Sequence, residues 1–258
     1  MNYSLDKGVF IAFEGTDGAG KSTVARATYD RILESHSALR YIDKNRPPVP
    51  TGYTEFHMSR LREVLWDYPD NAPLEQLGDK HWMSLIAAWF HATDHAAITP
   101  LINSGTSCIA DGWHYKYLAR FLLKSTDLAK DALTNFSTIR KPDFVIFLDV
   151  DPALAAQRKG SFRLSESGAY DGANADPQKG FIDYQNRVRS SYERCGLENW
   201  VRIDTTDLSE EAVLDKAVTA VQSILCREYK STNVSNDELI DADSYDREAP
   251  KRVIDSLY

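Results

Sequence analysis

Along the chain, short runs of mostly apolar residues alternate with longer stretches in which apolar positions recur at helical spacing. The short runs, at 8–14, 38–43, 106–111, 143–149 and 200–204, read as strands. The longer stretches, at about 21–36, 54–67, 78–104, 114–137, 152–159, 181–195 and 208–228, read as helices. Strands and helices in alternation predict an α/β domain with a central parallel sheet and helices on both faces. The 78–104 stretch places Trp82, Leu85, Ile86, Trp89 and Phe90 at core spacing, and Pro100 should bend or break it near its end. No internal repeat is visible.

Two segments fall outside this rhythm. Residues 160–180, GSFRLSESGAYDGANADPQKG, are rich in Gly, Ser, Asp and Asn and have little apolar period, which predicts a mobile loop where a lid would sit. From about residue 230 the chain is acidic and weakly apolar, which predicts a tail that is flexible or draped on the surface. The expected organisation is therefore one kinase-sized domain over 1–229, with a lid at about 158–180, and an acidic tail over 230–258.

Candidate chemistry begins at the first strand. Gly15-Thr16-Asp17-Gly18-Ala19-Gly20-Lys21-Ser22 fits G-x-x-x-x-G-K-[ST] between an apolar strand and a helical pattern. Glycines let successive backbone N–H groups turn toward one anion, and the helix that follows adds its positive end. Gly15, Gly18, Ala19, Gly20, Lys21, Ser22 and Thr23 would cradle the phosphates of a nucleoside triphosphate. Lys21 would reach the β- and γ-phosphates, and the Ser22 hydroxyl would ligate Mg²⁺. Asp17 is the odd member, a fixed negative charge inside an anion-binding loop.

Composition narrows the partners. The 258 residues carry a formal net charge of -8, which argues against a nucleic-acid or anionic-membrane surface. Cys108, Cys195 and Cys226 are three in number and lack metal-ligand spacing, so they read as reduced thiols of a cytoplasmic protein. No apolar run has the length of a membrane span, and the first residues lack a signal-peptide core.

Among proteins with this loop, a GTPase should carry N-K-x-D, and the sequence has none. The run VIFLDVD partly imitates the Asp-ending strand of motor ATPases, but a short chain with a lid suits a small-molecule kinase. In its motifs the sequence resembles the thymidylate kinase family of nucleoside monophosphate kinases. FEGTDGAGKST is close to that family's FEGxDGAGKST, and KPDFVIFLDVDPALAAQR resembles PDLxLxLDVxPExAxxR. Val188, Arg189 and Tyr192 match V-R-x-x-Y, Ile203-Asp204 match its last strand end, and Arg46-Pro47-Pro48 faintly echoes R-E-P.

The resemblance implies ATP and Mg²⁺ as cofactors and a small-molecule nucleotide as acceptor, with homodimers common in the family. The 82–90 stripe could serve a dimer or could equally be core. It implies that Asp17 accepts a hydrogen bond from the acceptor's 3′-hydroxyl, against the alternative that Asp17 only stabilises its turn. It makes Asp111 an orienter of Mg²⁺ beside Ser22, and it assigns the charge on the transferring group to Lys21 with the lid residues Arg158 and Arg163.

On the acceptor side the pattern departs. Where the family reads D-R-Y/H, this chain reads Asp111-Gly112-Trp113, so a phosphate-binding arginine is missing. Lys116, Arg120 or Arg46 could replace it. Where the family reads LLFxAxR, with a Phe against thymine and an Arg at its edge, alignment puts His91 and His95, with Phe90 one step away. Trp113 could stack on a base or be core, and His91 with His95 lacks a third metal ligand. The expected function is ATP- and Mg²⁺-dependent phosphorylation of dTMP or a related deoxynucleotide. Two alternatives stand: a kinase for a nucleoside or other hydroxyl compound, with Glu14 or Asp111 as base, and a non-catalytic nucleotide-binding regulator.

Overall fold

The computed structural model describes residues 7–69, 72–168, 176–196 and 198–231, the last five of these in backbone only. Five strands form one sheet: β1 (Phe10–Glu14), β2 (Leu39–Ile42), β3 (Ser107–Ala110), β4 (Phe144–Asp149) and β5 (Trp200–Asp204). Their order is β2-β3-β1-β4-β5, and every pairing is parallel. β1 is therefore central, with β3 and β4 on either side, and the chain reverses its winding direction there. In open α/β sheets ligands bind at that switch point, beyond the carboxyl ends of the strands.

Helices cover both faces, which is why β1 is apolar at nearly every position instead of at alternate ones. On one face Phe10 and Ala12 join a core built with α2 (Tyr53–Trp66), α3 (Asp79–Thr93), α5 (Tyr115–Phe121), α6 (Thr126–Phe136) and α8 (Pro177–Ser191). On the other, Ile11 and Phe13 pack against α1 (Lys21–Leu33), α7 (Pro152–Lys159) and α9 (Glu210–Ser231). Met83, Ile86, Ala87, Trp89 and Phe90 are buried within the chain's own core. No helix among the described residues is long and apolar enough to cross a membrane.

All five expected strands form, within two residues of the expected limits, and three helical expectations need correction. The 78–104 stretch is not one α-helix: α3 widens into a π-turn at Asp94–Ile98 before the short α4 (Thr99–Asn103). The widened turn comes ahead of Pro100, which then falls in the first turn of α4, where its missing N–H leaves no hydrogen bond unmade. The 114–137 stretch is two helices, because Ser125 caps a new one by accepting from the Leu128 N–H. α8 starts four residues before the expected 181, where Asp176 accepts from the N–H groups of Gln178 and Lys179 and Pro177 takes the first position. Of the expected lid, residues 169–175 lie outside the described residues, as does the tail from 232.

Candidate active site

The phosphate loop joins β1 to α1 with left-handed backbone at Gly18 (φ 83°) and Gly20 (φ 77°). A side chain at Gly15 would meet the Leu148 carbonyl oxygen at 2.4 Å, so the loop lies directly on β4. Lys21 is buried at the start of α1, and its ammonium donates to the carbonyls of Gly15 and Thr16 at 2.9 and 2.6 Å. Burial, with Lys116 and Lys44 nearby, lowers its pKa to about 7, against the pull of Asp17 and Glu14. A bound phosphate would reverse that shift by supplying the missing opposite charge.

Asp17 faces away from the loop's anion nest and toward α5. It accepts from Lys116 Nζ at 2.9 Å, from an Arg120 guanidinium nitrogen at 2.5 Å and from Gln185 Nε2 at 3.2 Å. Its own N–H donates to Gln185 Oε1 at 3.0 Å, which ties the loop to α8. Burial alone would raise its pKa, but Lys116, Arg120 and Lys21 hold it well below the carboxylate range. The turn-stabilising alternative is incomplete, since all three side-chain partners come from other helices.

Glu14, the residue before the loop, is fully buried and accepts from the Trp113 N–H at 3.0 Å and the Tyr192 hydroxyl at 3.2 Å. Burial raises its pKa to about 7 in spite of Lys21 and these donors. The Tyr192 hydroxyl also bonds the Gly15 carbonyl, at 3.0 Å. At the end of β4, Asp149 is gripped by Arg189 at 2.5 and 2.7 Å and by Arg202. The V-R-x-x-Y residues thus fasten α8 to the sheet and to the base of the phosphate loop. Asp149, occupied by two arginines, does not resemble the open metal-side Asp of a motor ATPase. Asp151 caps α7 through Ala153 and Leu154.

A cleft of about 290 Å³ opens beside Asp17, walled by Leu65, Trp66, Tyr68, Trp82, Ile86, Tyr117 and Tyr184. Lys116, Arg120 and Lys124 line it from α5 and the turn after it, and Arg163 from the segment after α7 where a lid is expected. The other residues expected at the site are dispersed. Phe90 and Trp113 are core side chains, packed on each other with ring centroids 4.8 Å apart. His91 is exposed and shares a hydrogen bond with Thr138, and His95 is also exposed. From α3 it is Trp82 and Ile86 that face the cleft, one turn apart. Arg46 lines a separate groove at the β2 edge, with Arg26 and Arg40. Arg158 is exposed on α7.

Gly112 has a neighbour that sequence reasoning missed. A Cβ there would lie 2.6 Å from Lys44 Cδ and 3.4 Å from its ammonium, so the Lys44 chain occupies the space of the absent arginine. Lys44 is itself pinned: its N–H donates to Asp111 Oδ1 at 2.8 Å and its carbonyl accepts from Trp89 Nε1 at 2.9 Å. For Mg²⁺, the Ser22 hydroxyl and the Asp111 carboxylate would offer oxygen, the donor type this hard cation takes, although Asp111 also accepts from the Lys44 N–H and the Tyr41 hydroxyl.

The thymidylate kinase family model matches residues 13–216. This chain belongs to the thymidylate kinase family. A probable thymidylate kinase of Natronomonas pharaonis is 26% identical over 232 residues, covering 85% of this chain and 100% of that one. A second, from Saccharolobus solfataricus, is 29% identical over 210 residues, covering 77% and 88%. The structure of the Candida albicans thymidylate kinase shares the fold, with a TM-score of 0.58 at 19% identity over 90% of this chain and 96% of that one. As a member of the thymidylate kinase family, the chain is a phosphotransferase that acts as a nucleoside monophosphate kinase. What sequence reasoning missed in this family member is Gln185, Lys44 and the Trp66–Tyr68–Trp82 wall, which come from four separate segments. The i, i+4 spacing of Lys116 and Arg120 was a usable signal, one face of one helix.

Proposed function

We propose that this family member transfers the γ-phosphoryl group of ATP to dTMP or a closely related deoxynucleoside monophosphate. The observation that carries this reading is the Asp17–Lys116–Arg120 cluster, which joins the donor loop to the acceptor cleft. Two cations held by one carboxylate leave net positive charge beside the loop, suited to the acceptor's phosphate. Lys44 adds a third in the space above Gly112. Lys21 and, from the lid, Arg163 and Arg158 would stabilise charge on the transferring group. Ser22 and Asp111 would hold Mg²⁺, which when bound offsets charge on the β- and γ-phosphates. Asp17 would exchange part of its hold on Lys116 or Arg120 for the acceptor's 3′-hydroxyl. The acceptor phosphate is already anionic, so no general base is needed.

The hydroxyl-acceptor alternative needs a base, and the geometry weighs against it. Glu14 has both oxygens engaged and no exposure, while Asp111 spends one oxygen on the Lys44 N–H. The test is ADP release from ATP–Mg²⁺ with dTMP, dUMP, other nucleoside monophosphates and nucleosides. Turnover on a deoxynucleoside monophosphate, fastest on dTMP or a relative, is expected. Turnover on nucleosides alone would replace this reading with the hydroxyl-acceptor one, and tight ATP binding without turnover on any acceptor would leave a regulator.

A further inference from the structure

Three cations line one side of the cleft, two from α5 and one from the turn after it. Lys116 and Arg120 lie on α5 one turn apart, roughly 6 Å at 1.5 Å per residue, and Lys124 lies in the bend three residues beyond the end of that helix at Phe121. The first two end on Asp17, at the phosphate-loop side. The third ends on Asp79, the first residue of α3, with Lys124 Nζ and Asp79 Oδ1 2.7 Å apart. Glu75, Trp82, Trp66, Tyr68 and Tyr117 line the same cleft, with Tyr68 against Trp82 and Trp66 against Tyr117. A nucleotide with its phosphate at Arg120 would lay its ring on the aromatic wall and bring its outer edge to Lys124 and Asp79. Neither His91 nor His95 reaches that end.

We propose that Asp79 and Lys124 together read the edge of the acceptor's base. An ammonium donor beside a carboxylate acceptor complements a carbonyl beside an N–H, the imide edge of a thymine- or uracil-type pyrimidine. Cytosine presents the opposite order, an amine beside an unprotonated ring nitrogen. This inference rests on the nucleotide-kinase reading above. A purely structural role is the rival, because Asp79 suits a helix N-terminus and the pair joins α3 to the α5–α6 turn.

The two are separated by steady-state kinetics of the full chain and its Asp79→Asn and Lys124→Met variants, at saturating ATP, with dTMP and dCMP. For an acceptor not turned over, its inhibition constant against dTMP replaces kcat/KM. The expected result is a fall of roughly tenfold in the dTMP-to-dCMP preference in each variant, with KM for ATP unchanged. A structural role would lower both acceptors together and leave the ratio fixed, and that outcome, or no change at all, overturns the proposal. Should the parent chain turn over neither these nor any other nucleoside monophosphate, the functional reading itself fails. An active parent with a fixed ratio in the variants removes only the assignment of Asp79 and Lys124.

Discussion

The phosphate loop and the cleft proposed for the acceptor meet at Asp17, yet they are built in opposite ways. The loop is one unbroken segment, Gly15 to Thr23, whose shape is set by glycines with positive φ. The cleft is assembled from α2, the turn after it, α3, α5, the lid and α8, and its working groups are all side chains. A contiguous backbone device tolerates little change, because its function is its conformation. An assembled pocket can exchange one contributor for another, because no single segment sets its shape. The sharpest break of the comparison is at the loop. Lys21→Met should lower kcat by about 10²–10³-fold while leaving the fold intact, since the neutral side chain still fills the site. ADP release and a thermal melt check both halves; near-parental turnover would mean that the loop does not serve the transferring phosphate.

Legibility in the sequence followed the same division. The strands and the loop could be read because their signals are local: consecutive apolar residues, glycine spacing, a lysine and a hydroxyl at fixed offsets. Ser125 and Asp176 were also local signals, helix caps that mark where α6 and α8 begin. The cleft was not legible in that way. Whether His91 or Ile86 faces the acceptor depends on the rotation of α3, and a rotation of about 100° per residue makes one step of misalignment decisive. Lys44 and Gly112 lie far apart in sequence, and nothing near either residue announces the other.

Asp17 tests the junction itself. Its carboxylate is nearly buried, and the cations it neutralises are only 15% and 16% exposed at the side chain. Asp17→Ala leaves both without a partner, which should cost about 3 kcal/mol of stability and raise KM for the acceptor more than KM for ATP. Denaturant melts and kinetics with each substrate varied in turn would show it. A larger rise in KM for ATP than for the acceptor would place Asp17 with the donor instead.

Glu14 sharpens the comparison from beneath the loop. Its pKa is raised from 4.5 to about 7 by burial, so between those values the folded chain holds a proton that the unfolded chain has released. Its contribution to stability therefore falls as pH rises through that window and reaches its full cost above it. Glu14→Gln removes the titration but keeps an oxygen for the Trp113 N–H. The variant should gain about 3 kcal/mol relative to its parent on going from acid to mildly alkaline solution. Melts at both ends of the window check this, and a parallel pH dependence in the two proteins would contradict it.

The smallest expected effect is at the outer face of α3. His91 is exposed and shares a hydrogen bond with Thr138 Oγ1, at 3.1 Å, and His95 is exposed on the π-turn. His91→Ala and His95→Ala should each leave acceptor kcat/KM within about twofold and stability within about 0.5 kcal/mol, as surface substitutions do. Their value lies in being matched with Trp82→Ala on the inner face of the same helix, where lost stacking should raise acceptor KM by roughly tenfold. A large loss at His91 with none at Trp82 would mean that the acceptor sees the other side of α3. In that case the chain would have kept the family's alignment at this helix, and the idea of an exchangeable pocket wall would fail where it is now clearest.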